Sequence, residues 1–162
     1  MISLETRRPD RVEEPTLCFT RAIIEDVVSY ENDSVVISVV IAGRKVHRVL
    51  IDQGSLANVM FWKTFINFQL SPDQLRPYDG CLVGFPGDQV EVQGYVALRT
   101  TFLDENTTRI ITIRYIVVNM PFAYNLLLGR PSLNRLGAVA STTHMRMRLP
   151  SEEGGVIIVK AN

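Results

Sequence analysis

Read by its apolar and polar positions, the chain changes register several times, and each change predicts an element. Residues 34–41 and 45–51 are β-branched runs, and Ala42-Gly43-Arg44 between them reads as the loop of a hairpin. Over 58–68 the period lengthens: Val59, Phe61-Trp62, Phe65-Ile66 and Phe68 recur at near-helical spacing, which predicts a short helix behind an Asn58 cap. Ser71-Pro72-Asp73-Gln74 predicts a second helical turn, with Ser as cap and Pro at the first helical position. Strand character returns at 81–83, is interrupted by Gly84-Phe85-Pro86-Gly87-Asp88, and resumes over 89–102. Within it, Val90-Glu91-Val92-Gln93 alternates as a strand with one solvated face does.

Asp104-Glu105-Asn106 is a turn and 109–118 another strand. The continuous apolar run 124–128 reads as a buried strand. Gly129-Arg130-Pro131 breaks it, and 131–136 reads as a short helix that Gly137 terminates. Strands at 138–141, 144–149 and 156–160, with a turn at 152–155, complete the pattern. About nine short strands with two or three small helices specify an all-β fold, a closed barrel or sandwich-like domain. Long helices do not alternate with the strands, which excludes an α/β sheet. Residues 1–16, rich in Arg, Glu and Pro, read as a disordered lead-in or linker, and 17–162 as one domain.

Composition narrows the function more than the fold. At 162 residues and 46% apolar, the chain suits one globular domain with a real core. Seventeen basic residues balance 17 acidic ones, so net charge points to neither nucleic acid nor an anionic membrane. The longest apolar runs, such as 35–42, fall well short of the ~18 residues that span a bilayer. Residues 1–15 lack an apolar signal segment, so an intracellular setting is expected. Cys18 and Cys81 match no metal or redox spacing, and His47 and His144 are isolated, so neither metal nor cofactor is expected. Asn106-Thr107-Thr108 fits a glycosylation pattern but reads as a polar turn.

Candidate chemistry centres on Asp52. The run Val49-Leu50-Ile51 delivers this carboxylate from a core strand into a tight turn, Asp52-Gln53-Gly54-Ser55. Gly54 permits close approach of the backbone, and Ser55 offers a hydroxyl and an amide. An Asx-turn, with Asp capping its own backbone, is the competing structural reading.

Three features in order support a catalytic reading. They are the strand and turn Val49-Leu50-Ile51-Asp52-Gln53-Gly54-Ser55, the glycine-bearing hairpin over 82–89, and Leu126-Leu127-Leu128-Gly129-Arg130-Pro131 before a short helix. Together with Val83-Gly84-Phe85, Gly94-Tyr95 and Tyr124-Asn125 through Ser132-Leu133, this wording resembles the retropepsin-like aspartic proteases of plant Ty3/gypsy-type retrotransposon polyproteins, over roughly residues 17 to 150. The resemblance implies a closed acid-protease barrel, one half of a two-fold dimeric enzyme that cleaves an extended peptide of a Gag-Pol-type polyprotein. Asp52 would be the catalytic residue, with Gln53, Gly54 and Ser55 as its turn. Gly84, Phe85, Pro86 and Gly87 would form a flap over the substrate. Leu128, Gly129 and Arg130 would support the turn from beneath, with Arg130 in an internal ion pair. The partners implied are a homodimer mate and a peptide, with no nucleic acid and no membrane; virus-like particles are an implied location.

Two positions depart from the family. Gln53 stands where Thr or Ser is usual, and that hydroxyl locks the two turns across the dimer. Leu56 stands where relatives carry Ser or an acid, removing one polar contact to peptide. These departures raise a second reading, a weak or inactive retropepsin-like remnant kept for dimerisation or peptide binding.

Overall fold

The computed structural model describes residues 34–78 and 91–162. The lead-in over 1–16, both cysteines, the 81–83 strand and the hairpin bearing Gly84, Phe85, Pro86 and Gly87 fall outside that range.

The chain enters as a hairpin of β1 (Val36–Ile41) and β2 (Arg44–Ile51). Ile41 pairs with Arg44, leaving a two-residue loop in which Ala42 and Gly43 both take positive φ, 52° and 75°. That is the mirror-image turn whose twist matches a hairpin's. Farther along, the register slips between Ile37 and Val39, and Arg48 takes a φ of 58°. This bulge changes the phase of β2: positions Arg44–Arg48 are mostly exposed, whereas Val49, Leu50 and Ile51 are all buried.

The remaining barrel strands are β3 (Val59–Phe61), β4 (Glu91–Leu103), β5 (Thr108–Asn119) and β6 (Leu126–Leu128). They close in the order β1-β2-β6-β3-β5-β4, with β4 returning to β1 through Val40–Thr101 and Ile41–Thr100. Closure leaves no free edge on this sheet. The fold class read from the sequence, an all-β closed barrel with short helices, is thus the one observed.

Two three-residue strands, β3 and β6, meet between β2 and β5. The β2–β6 and β3–β5 pairs are parallel, and β6 runs antiparallel to β3. Both faces of these strands are covered. Met60, Leu126 and Leu128 join Ile37, Val96, Phe102 and Tyr115 inside the barrel. Leu50, Val59, Phe61 and Leu127 join Ile116, Val118 and Tyr124 in a second cluster outside it. Double-sided burial is why β6 reads as an unbroken apolar run.

The helix expected over 58–68 needs correction at its start. Val59–Phe61 is strand, and helix α1 covers Trp62–Phe68, ending at Gln69 in the left-handed conformation. Pairing to β5 and β6 on either side overrides local periodicity there. Ser71 Oγ accepts from the Asp73 amide, capping the expected turn, a 3-10 turn over Pro72–Gln74.

Helix α2 (Arg130–Leu136) follows β6 and ends at Gly137, whose φ of 66° allows the Ala138 amide to reach the Leu133 carbonyl. From β5, Arg109 donates to the Leu136 and Arg135 carbonyls at 2.7 and 3.3 Å, completing that helix end, and to Pro150 at 3.0 Å. A separate antiparallel sheet of β7 (Val139–Ser141), β8 (Arg146–Pro150) and β9 (Val156–Lys160) buries Met147, Leu149, Ile157 and Val159 against the barrel core.

Candidate active site

Asp52 stands at the first position after β2, half-buried. Its amide donates to the Leu128 carbonyl at 2.9 Å, extending the parallel β2–β6 ladder by one step into the turn. The turn then closes on itself. The Ser55 amide donates to the Asp52 carbonyl at 3.2 Å, and the Gly54 amide to Asp52 Oδ1 at 3.0 Å. The second contact is an Asx-turn, so the structural reading of the sequence is met. It orients the carboxylate through Oδ1.

What separates this turn from an ordinary one lies beneath it. The Ser55 carbonyl accepts from the Arg130 amide at 2.7 Å. The Gly129 amide donates to Asn58 Oδ1 at 2.9 Å, and both groups are buried. A Cβ on Gly129 would sit 2.3 Å from the Ala57 carbonyl oxygen and 2.7 Å from that of Ser55. The backbone of Gly129 is extended, with φ of −99° and ψ of −173°, so close approach rather than a special dihedral demands glycine here.

The remaining residues singled out by sequence divide by exposure. Ser55 is fully buried, and its hydroxyl donates inward to the Ala57 carbonyl at 2.9 Å. Gln53 and Gly54 are exposed. Arg130, expected in an internal ion pair, donates from Nε to the Gln53 carbonyl at 3.2 Å, which ties it to the Asp52 turn. Gln53, Gly54 and Arg130 border an open hollow of about 530 Å³, together with Leu133, Asn134 and Val139. Leu56 is half-buried against the outer apolar cluster. Among the described residues, no group of three or more His, Cys, Asp or Glu side chains is placed to hold a metal ion.

The roles of two asparagines were not read from the sequence. Asn58, expected as a helix cap, supplies the side-chain oxygen that holds Gly129. Asn125 donates to the His47 carbonyl at 2.7 Å and accepts from Thr64 Oγ1 at 3.1 Å, tying β2 and α1 to the segment before β6. Its signal was available: a carboxamide amid the apolar run 124–128 needs polar partners.

No family model matches the chain, and no curated protein does. Among solved structures it is similar to the retroviral protease-like domain of Ddi1 from Leishmania major, with a TM-score of 0.56 at 15% identity, over 80% of this chain and 93% of that one. The fold is retropepsin-like. The chain is also similar to EIAV protease complexed with the inhibitor HBY-793, with a TM-score of 0.47 at 23% identity, over 65% and 90% of the two chains. Within this barrel the Asp52 turn is anchored from below by the Gly129-Arg130 segment.

Proposed function

We propose that this chain is one half of an aspartic endopeptidase that acts as a homodimer, with Asp52 as its catalytic residue. The observation that carries this reading is the anchoring of the Asp52 turn by Leu128, Gly129 and Arg130, which holds the carboxylate at the end of a buried parallel strand pair. A second copy supplies the other carboxylate across a two-fold axis. The hollow beside Gln53 and Arg130, bordered by Val139 at 65% exposure, supports a mate docking on this side.

Two carboxylates at hydrogen-bond distance share one proton and titrate as a pair, the general behaviour of aspartic-protease dyads. The ionised member takes a proton from water, which attacks the scissile carbonyl carbon. The protonated member donates to the carbonyl oxygen and, once the tetrahedral intermediate forms, a proton passes to the leaving amine. An extended peptide binds through its backbone, with Gly84, Phe85, Pro86 and Gly87 closing over it. A Gag-Pol-type polyprotein of a Ty3/gypsy-type element, processed inside the cell, is the substrate the sequence wording favours.

The test is peptide cleavage at mildly acidic pH by the chain and by its Asp52→Asn variant. Cleavage lost in the variant and blocked by a statine-like transition-state mimic supports the reading; cleavage unchanged in the variant overturns it. Exposed Gln53 favours a second reading, a retropepsin-like remnant that dimerises or binds peptide without turnover. Its longer side chain costs more rotamer entropy than the hydroxyl usual there and cannot reproduce the same compact contact. If the chain is silent, gain of cleavage on Gln53→Thr with Leu56→Ser assigns the defect to the turn alone.

A further inference from the structure

The charge of this neutral chain is unevenly spread. Of its 17 Lys and Arg, 13 fall within residues 34–78 and 91–162, against only 7 of its 17 Asp and Glu. Residues 1–33 hold eight carboxylates and four arginines. Within them, residues 22–33 carry Glu25, Asp26, Glu31 and Asp33 with no cation, interleaved with Ile23, Ile24, Val27 and Val28.

One face of the barrel has the opposite character. On the outer side of the β4–β5 ribbon, Arg99 lies opposite Thr112, Ala97 opposite Arg114 and Tyr95 opposite Ile116, and cross-strand partners share a face. Arg76 adds a third arginine beside Tyr95, through backbone bonds of 2.9 and 2.8 Å. From α2, Arg135 reaches the Thr112 carbonyl. All four arginines are exposed, and neither 95–103 nor 108–116 contains an acid. Farther along, the same face presents Ile110 at 41% and Leu103 at 42% exposure. Like charges this close repel one another, so an anionic partner with some apolar side chains is what the face fits.

We propose that this face is the docking site of the chain's own residues 22–33. The complementarity is twofold: carboxylates meet arginines, and Ile and Val meet Ile110 and Leu103. Reach is sufficient. Residue 25 is nine positions before Ser34, a span of up to about 30 Å, and the ribbon from Phe102 to Tyr95 is about 23 Å long. Strand β1 runs antiparallel beside β4, pairing at Val40–Thr101 and Ile41–Thr100, so the start of β1 lies toward the Leu103 end of the ribbon. A tether this short gives an effective concentration on the order of millimolar, enough for a weak electrostatic contact to be populated. Nucleic acid fits less well. Tyr95, the aromatic on this face among the described residues, is half-buried with the Arg114 guanidinium 4.4 Å from its ring centroid, so a stacking base would compete with that cation.

The experiment uses the full chain with a nitroxide at Ser29→Cys, in a Cys18→Ser, Cys81→Ser background. Paramagnetic loss of amide intensity is expected at Tyr95, Arg99 and Arg114. It should be relieved at about 0.5 M salt, where the Debye length is about 4 Å. Arg99→Glu with Arg114→Glu should relieve it too; if that variant does not fold, the salt series on the native face decides. Amides on this face that stay unaffected, or intensity losses unchanged by salt, overturn the proposal. So does a face that ignores the label but shifts with a single-stranded oligoribonucleotide, which would assign it to nucleic acid.

Discussion

Asp52 and Asp104 begin from the same local chemistry and are held by different surroundings. Each follows a strand, and each accepts the amide two residues ahead through Oδ1, Gly54 at 3.0 Å and Asn106 at 2.8 Å. Asp104 goes on to accept the Thr107 amide at 2.9 Å, and the Ile158 amide at 3.2 Å through Oδ2. Those backbone donors, Asn106 foremost, hold its carboxyl below the usual carboxylate range. Both its oxygens are spent on ordering the β4–β5 turn against β9. The Asp52 turn instead takes its order from a second segment, which docks Gly129 and Arg130 under its backbone. An Asx-turn therefore does not by itself distinguish the two. What differs is the support beneath the turn, and the proposed catalytic reading of Asp52 rests on that support.

The strongest way to break that contrast is Gly129→Ala. The new methyl has no room against the Ala57 and Ser55 carbonyls, so the turn must move. A loss of about 2 kcal/mol or more in denaturant unfolding is expected, with the same substitution at open Gly43 or Gly154 costing less. Next comes Asn58→Ala, which leaves the buried Gly129 amide without its acceptor and should cost about 1–3 kcal/mol. An unfolding curve matching the parent's would show that the anchor is dispensable.

The smallest effect belongs to Asp104→Asn. A carboxyl whose pKa is lower in the folded than in the unfolded chain stabilises fully above the unfolded value, and that contribution fades as pH falls through the folded one. The Tm difference between the chain and this variant should therefore be small, largest near neutral pH, and closed in acid. A difference that does not change with pH contradicts the assignment.

Much of this was legible beforehand, for physical reasons that differ by region. The β1–β2 hairpin and the α2 stop at Gly137 announce themselves because their signals are local: β-branched runs about a tight loop, and glycine at a left-handed cap. The Asp52 turn and the Gly129-Arg130 break were legible too, but only as neighbours in sequence. Their contact across 77 positions, Arg130 Nε to the Gln53 carbonyl, depends on the parallel pairing of β2 with β6. No periodicity encodes that pairing. The same limit explains the start of α1. Val59, Met60 and Phe61 alternate between two apolar clusters, a pattern that helical spacing of neighbouring aromatics conceals. Arg130 was read as an ion-pair partner because a buried cation usually seeks an acid. Its bond to the Gln53 carbonyl could be seen only in three dimensions.

The central claim is that two Asp52 turns meet to make one site. Its most direct test is the separation of the two Asp52 carboxylates in a crystal structure of the dimer. The account predicts facing carboxyl oxygens at about 3 Å, the geometry of a shared proton. A dimer that places them too far apart to share one, or joins the chains away from Gln53 and Arg130, would contradict it.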